Sequence, residues 1–325
     1  RALLNAVAGL TIVLGVGIGL AIAPTAWAVD IRRNIDASAA LLAGQFGIDR
    51  GYLYSPLAAL LTAPLTVLPL GVAAVAWLVA KGGVLAWGIR HETRGLPTIE
   101  AGLVGLAVVA FVPTLHDLLL GNVTVFVVAA VALVAWRRDG LLMGIALGLV
   151  LATVPKPQLI PVLAWMLLYR RRALAAAVLT ASVATLVGIL LTGGDAYRAW
   201  IDILRAPEYL GSPMYGNLTP DALIPGLALP IKVAAIVGFL VALRRGEVAG
   251  FIAALAVGLL VAPYTMAYAG MALLLAVRPL AIAAPRVTAA LAASGSLAVV
   301  LLLPAYALAW LAAALRVRFA AGPAE

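Results

Sequence analysis

The chain reads as long apolar runs broken by short polar turns. Apolar runs fall at about 3–28, 71–89, 101–115, 121–136, 140–154, 157–169, 173–192, 222–243, 248–262, 264–277, 287–303 and 304–315. Runs of this kind, repeated and separated by short basic turns, predict membrane-spanning helices, about twelve of them. A transmembrane β-barrel would instead alternate apolar and polar residues over strands of ~10 residues, a pattern missing here. The expected fold class is an all-α polytopic membrane protein, read as a single domain over 1–325.

Composition supports the same class. The chain has 325 residues, 65% of them hydrophobic and 11% charged, with a mean hydropathy of +1.13. Soluble domains carry ~25% charged residues, so most of this apolar surface has to face lipid. A net charge of +9 would suggest nucleic acid in a soluble protein. Here the arginines sit in the turns between runs, and no nucleic-acid partner is expected. There is no cysteine, which removes disulfide and thiol chemistry. The first residue is Arg1, so an initiator Met or short leader is expected to be missing. The run from Ala2 to Ala28 ends in "PTAWA", a loose match to a cleavage site, and reads as an anchor rather than a signal peptide.

The arginines also give a topology. Arg1, Arg90, Arg94, Arg137, Arg138, Arg170, Arg171, Arg172, Arg244, Arg245, Arg278, Arg286, Arg316 and Arg318 fall on one side. Arg32, Arg33, Arg50, Lys156, Arg198 and Arg205 fall on the other, with Lys81 and Lys232 inside runs. The positive-inside rule makes the first side, with both termini, cytoplasmic, as in a bacterial plasma membrane. That register requires residues 53–69 not to cross, because a crossing there would turn nearly every Arg pair outward. Pro56, Pro64 and Pro69 suit a short interfacial element.

Two polar segments then stand on the extracytoplasmic side, 29–70 with its interfacial helices and 193–221. Each contains an amphipathic stretch. In the first, Ile31, Ile35, Ala39 and Leu42 make an apolar face, with Asp30, Arg33, Asn34 and Asp36 elsewhere. In the second, Tyr197, Trp200, Ile201 and Leu204 face one way, while Asp195, Arg198, Asp202 and Arg205 face water.

Chemistry concentrates on that side. Asp30, at the outer end of the first run, reads either as a helix cap or as a general base facing a cavity. Asp36 could share the site or be solvated, and Asp49 pairs locally with Arg50. Lys156, between Pro155 and Pro157, either snorkels to the headgroups or binds a phosphate. His116 and Asp117 are adjacent, but helical neighbours point apart, and loop polarity accounts for His116. His91 lies on the opposite side. Two histidines and no cysteine make a zinc site unexpected, and no nucleotide-binding motif is present. No cofactor is expected, while a divalent metal stays open. Asn122-Val-Thr and Asn217-Leu-Thr fit the glycosylation sequon.

Several segments, in order, resemble glycosyltransferase family 87. "DIRRNIDASAALLAGQFGIDRGYLYSPL" is similar to the family's first outer loop, with Asp30-Ile31, the Ala-rich stretch to Gly44, and Tyr52-Leu-Tyr54-Ser-Pro56. Gly121-Asn122 stands where the family has a Gly-Gln turn, and Lys156-Pro157 matches its Lys-Pro. Arg170 to Arg172 match a basic turn, "GNLTPDALI" with Asn217 an Asn-Gln-Ser segment, and "VAPYTMAYAGM" with Tyr264 a late aromatic stretch. Departures are Asn122 for Gln, a single Pro after the Tyr-x-Tyr, and a late stretch without Trp or His.

The resemblance implies a GT-C-like fold and a polyprenyl-phosphate-sugar-dependent transferase, mannosyl in the first instance and arabinofuranosyl in some relatives. The acceptor would be a lipid-linked or other glycan, in contact with membrane lipids. It carries the general base onto Asp30 and the donor-phosphate ligand onto Lys156. Arg33 and Arg205 are candidate helpers, and Asp36, Tyr52, Tyr54, Asn122, Asn217 and Tyr264 candidate substrate contacts. The competing class is a lipid or glycan flippase. It would account for Lys81 and Lys232, but such proteins usually carry internal repeats, and none is visible.

Overall fold

The computed structural model describes residues 2–136, 140–205 and 216–317. Arg1, Arg137, Arg138 and Arg318 of the charge pattern, and 206–215 of the second polar segment, lie outside the described residues.

Among the described residues the chain is helical, without strands. Helix α1 (Ala2–Ala26) runs into α2 (Val29–Leu42) through a left-handed joint at Ala28 (φ 57°, ψ 18°). A short α3 (Pro56–Thr62) continues as a 3-10 turn to Val67 and leads to α4 (Leu70–Glu92). Next come α5 (Thr98–Ala110), α6 (Val112–Leu120), α7 (Thr124–Trp136) and α8 (Leu141–Thr153). They are followed by α9 (Ile160–Tyr169), α10 (Arg171–Thr192), α11 (Gly194–Arg205) and α12 (Pro220–Leu223). The chain ends with α13 (Pro225–Arg245), α14 (Glu247–Val261), a 3-10 stretch Ala267–Leu273 leading into α15 (Leu274–Ala283), and α16 (Pro285–Arg316).

By length and composition, four helical stretches could cross a membrane: Asn5–Leu42, Leu70–Glu92, Arg171–Thr192 and Pro225–Arg245. The pair α5–α6, bent by 60° at its break, makes a fifth if taken as one span. The rest of the twelve expected spans correspond to shorter apolar helices. The runs 287–303 and 304–315 form two helical pieces joined end to end within α16, broken at Leu302, whose backbone is non-helical (φ −149°, ψ 54°). Pro304, just beyond, lacks the amide that would continue the ladder. The apolar element Pro56–Val67 rises only ~18 Å at helical pitch, short of a ~30 Å hydrocarbon layer.

The core forms around α14, on which every residue from Ala249 to Leu260 is buried. A helix apolar on all sides has no face to give to solvent and belongs inside a bundle. Helices α8 and α10 pack closely, because small residues let their backbones touch. A Cβ at Gly144 would lie 2.2 Å from the Ala173 carbonyl oxygen, and one at Gly148 2.5 Å from that of Ala177. On the opposite side of α10, Leu179, Val183, Leu186 and Leu190 are exposed, as suits a lipid-facing surface.

Burial corrects two expectations. On α2 the buried face is Ile31, Asn34, Ala37 and Ser38, while Ala39 and Leu42 are exposed. The polar pair turns inward because it finds partners. The Ser38 hydroxyl meets the Asn34 and Ala59 carbonyls (both 2.7 Å) and the Thr62 hydroxyl (2.8 Å). On α11, Tyr197 and Ile203 are buried and Ile201 is exposed. Arg170, one of the arginines in the basic turn, is buried. It is ion-paired with Glu247 and stacked 5.3 Å from the centre of the Trp165 ring.

Candidate active site

Five pieces of chain converge at one end of the bundle around a cavity of about 440 Å³. Its lining includes Asp30 and Arg33 from α2, Tyr52 and Tyr54 from the connection after it, and His116 and Asn122 from α6 and its turn. Lys156 from the α8–α9 connection and Tyr264 and Tyr268 from the segment after α14 complete it.

Local folding accounts for each position. The Ala28 amide donates to the Leu119 carbonyl (2.8 Å), which docks the α1–α2 joint on α6. Asp30 follows in the first turn of α2. It does not cap that helix: the N-cap is Ala28, and no side chain makes the cap bond. The Asp30 carboxylate instead accepts a hydrogen bond from the Asn122 amide (2.6 Å). Ser55 caps α3 with Pro56 behind it. The same serine pins the Tyr-x-Tyr segment to the end of α8, donating through its hydroxyl to Ala152 (2.7 Å) and through its amide to Thr153 (3.0 Å). That anchor brings Tyr54 beside Lys156, and the prolines flanking Lys156 end α8 and start the turn at Pro157–Leu159.

Asn122 is the hub. It is 1% exposed. Its side-chain oxygen accepts from the Thr124 amide (3.1 Å) and hydroxyl (2.7 Å). Its NH₂ therefore faces the other way and donates to Asp30 and to the Tyr54 hydroxyl (3.0 Å). Lys156 makes no ion pair among the described residues. Its ammonium lies 4.9 Å from the centre of the Tyr268 ring and 5.9 Å from that of Tyr54, within reach of cation–π attraction. Burial pulls its pKa down to about 8, opposed by the Asp117 and Asp30 carboxylates. Burial pushes the Tyr52 and Tyr54 hydroxyls up, with Tyr268 and Asp30 adding to the rise at Tyr54. The Tyr52 hydroxyl is buried without a hydrogen-bond partner among the described residues.

Seven of the ten candidate residues thus line one cavity: Asp30, Arg33, Tyr52, Tyr54, Asn122, Lys156 and Tyr264. Three do not. Asp36 is exposed on α2. Arg205 is exposed and turned to Asp202 (3.4 Å). Asn217 is fully buried, and its oxygen accepts from the Thr219 (3.2 Å) and Thr265 (3.1 Å) amides. It thereby holds the Tyr264 segment from behind. Burial of Asn122 and Asn217 also sets aside the sequon reading of both. Asp49 pairs with Arg33 (3.6 Å) and the Gly51 amide (2.8 Å), not with Arg50.

Sequence reasoning missed several participants. His116 lines the cavity, 6.0 Å from the Tyr268 ring, where loop polarity was the expectation. Lys81 and Asp117, both 0% exposed, form an ion pair (2.6 Å) behind the Asn122 turn. An ionisable residue inside an apolar run is itself a functional signal, and Lys81 carried it. Among the described residues, no group of three or more His, Asp or Glu converges as a metal site.

Comparison with known proteins bears on the same residues. The family model "Glycosyltransferase family 87" matches residues 52–231, a span that includes Tyr54, Lys81, Asp117, Asn122 and Lys156. Asp30 and the Tyr264–Tyr268 segment lie outside it. No curated protein and no solved structure matches the chain. With more than half its length matched and several apolar helices around the site, the chain belongs to glycosyltransferase family 87 and is a membrane glycosyltransferase acting between a sugar donor and an acceptor.

Proposed function

We propose that this enzyme moves a sugar, mannose in the first instance, from a polyprenyl-phosphate donor to a hydroxyl of a lipid-linked or other glycan acceptor. The reaction takes place on the extracytoplasmic face of the plasma membrane and inverts the anomeric centre. The observation that carries this reading is a carboxylate and an ammonium, Asp30 and Lys156, opening into the same cavity.

The chemistry follows from those two groups. The acceptor oxygen attacks the anomeric carbon as its proton passes to the Asp30 carboxylate. The bond from that carbon to the phosphate oxygen breaks, and its electron pair leaves with the lipid phosphate. The growing negative charge on the phosphate is met by Lys156, a fixed cation in a partly dehydrated site. A phosphate leaving group needs no protonating acid, so one carboxylate suffices and a single displacement inverts the centre. Tyr52 forms part of the cavity wall for the sugar, and Arg33 stands at the cavity for either phosphate or acceptor.

The test is incubation of purified protein with radiolabelled polyprenyl-phosphate mannose and extracted lipids. Transfer of label to a lipid-linked product supports the reading. Transfer only from the arabinofuranosyl donor would change the sugar and keep the mechanism. Movement of unaltered donor across a vesicle, without transfer, would replace the enzyme reading with a flippase.

A further inference from the structure

The cavity is held from behind by a buried polar frame that touches none of its space. Helix α4 contributes two donors one turn apart. The Lys81 ammonium forms an ion pair with the Asp117 carboxylate (2.6 Å) and donates a hydrogen bond to the Asp117 carbonyl (2.5 Å). The Trp77 indole donates to the Gly121 carbonyl (2.8 Å). Asp117 passes the constraint on. Its other carboxylate oxygen accepts from the Thr124 amide (3.0 Å), and its carbonyl accepts from the Asn122 amide (3.1 Å). Thr124 in turn holds the side-chain oxygen of Asn122 through both its amide and its hydroxyl. These bonds converge on the end of α6 and the turn after it, where the Asn122 NH₂ donates to Asp30 (2.6 Å) and to the Tyr54 hydroxyl (3.0 Å). The opposite side of the turn is closed too. Gly121 is left-handed (φ 73°), and a Cβ there would lie 2.9 Å from Ile31 Cβ, next to Asp30.

A fully buried ammonium and carboxylate are difficult to keep out of water, and a buried pair is weak evidence for stability as such. In some proteins such a pair specifies one arrangement among several. We infer that Lys81 and Asp117 are positioning residues for sugar transfer: the pair fixes the amide plane of Asn122 and, through it, the direction of the Asp30 carboxylate. The inference rests on Asp30 acting as the general base. It assigns the intramembrane lysine a role in geometry rather than in transport.

The test uses full-length protein in detergent or vesicles. In Lys81→Met with Asp117→Leu, both charges leave together and the core stays filled. We expect kcat to fall by ~10-fold or more, since small misplacements of catalytic groups have effects up to ~100-fold, while KM for the donor stays within about twofold. The loss must also pass through Asn122. Adding the pair variant to Asn122→Ala should leave kcat within about twofold of Asn122→Ala alone, because groups acting as one unit do not multiply. A wild-type kcat in a folded pair variant overturns the inference, as does a loss that multiplies with Asn122→Ala. If the pair variant does not fold, Lys81→Gln with Asp117→Asn carries the same test by replacing the ion pair with neutral amides of similar size. A severalfold lower kcat, unchanged KM and no multiplication with Asn122→Ala support the frame, and an unchanged kcat overturns it. Asp30→Asn separates the two readings. Normal turnover there removes the base and this inference together, whereas an inactive Asp30→Asn beside a fully active pair variant removes this inference alone.

Discussion

Helices α2 and α11 are both short, amphipathic and rich in Asp and Arg, and both lie in the polar segments between apolar helices. Their charges end in different places. On α11, Asp195 pairs with Arg198 (2.7 Å) and Asp202 with Arg205 (3.4 Å), each within its own helix and with all four side chains at least 70% exposed. On α2, Asp30 reaches across 92 residues of chain to Asn122, and Ser38 is tied to Ala59 and Thr62 on α3. Both helices bury one side against the same Tyr-x-Tyr connection, α11 through the Trp200 indole on the Leu53 carbonyl (3.0 Å). A carboxylate satisfied by its own helical neighbour is occupied and solvated. One held by a remote amide at the wall of a cavity has an orientation and a face left for a substrate. The distinction lies in the partner, not in the helix.

The largest effect should come from the carboxylate that α11 has no counterpart for. Asp30→Asn keeps size and hydrogen bonding but removes the proton acceptor, so kcat should drop by ~100-fold or more. The equivalent change on α11, Asp202→Asn, should leave kcat unchanged. Comparable losses from both, in the labelled-donor assay, would erase the functional difference between the two helices.

The second effect concerns the cation that the first polar segment faces. Lys156→Met should lower kcat by ~100-fold, the usual scale for removing a preorganised group that meets developing charge. The pH dependence has a definite sign. The lysine is cationic below a pKa of about 8 and loses its charge as pH rises through that value. Activity should therefore fall above about pH 8. Lys156→Arg, which stays charged throughout, should flatten that limb of the profile even if its maximum is lower. A wild-type profile that rises across pH 8 would exclude a cationic role for Lys156.

Much of this arrangement was legible in the residues. Asp30 at the outer end of the first apolar run and Lys156 between two prolines stood out by position, while Tyr54 and Asn122 entered as site candidates only through the family resemblance, whose order of short motifs joined segments about a hundred residues apart. The absence of a full-length apolar helix between Tyr54 and Leu70 followed from three prolines and a charge count. What periodicity could not supply was the identity of partners. The inward face of α2 includes Asn34 and Ser38 because α3 and the backbone provide acceptors for them, so a face drawn from hydrophobicity alone came out rotated. Lys81 and Asp117 are separated by 36 residues, and nothing local in either run declares the pair. The 60° bend between α5 and α6 falls at Phe111, just before Pro113.

The smallest effects separate the helices by stability. Ser38→Ala removes a hydroxyl that is 0% exposed and tied to α3. The Thr62 hydroxyl keeps its bond to the Ala58 carbonyl (3.0 Å), so the expected cost is that of one buried hydrogen bond, ~1–2 kcal/mol. Thermal unfolding in detergent should show it as a lower midpoint with kcat nearly unchanged. Replacing Asp195 and Arg198 together by Ala removes a closer ion pair on paper, at 2.7 Å. That pair is exposed, screened by salt and offset by side-chain entropy, so the double change should move stability by less than ~0.5 kcal/mol. If the α11 pair proved the costlier loss, its helix would have to be held by its charges rather than by Tyr197, Trp200 and Ile203, and the contrast with α2 would reverse.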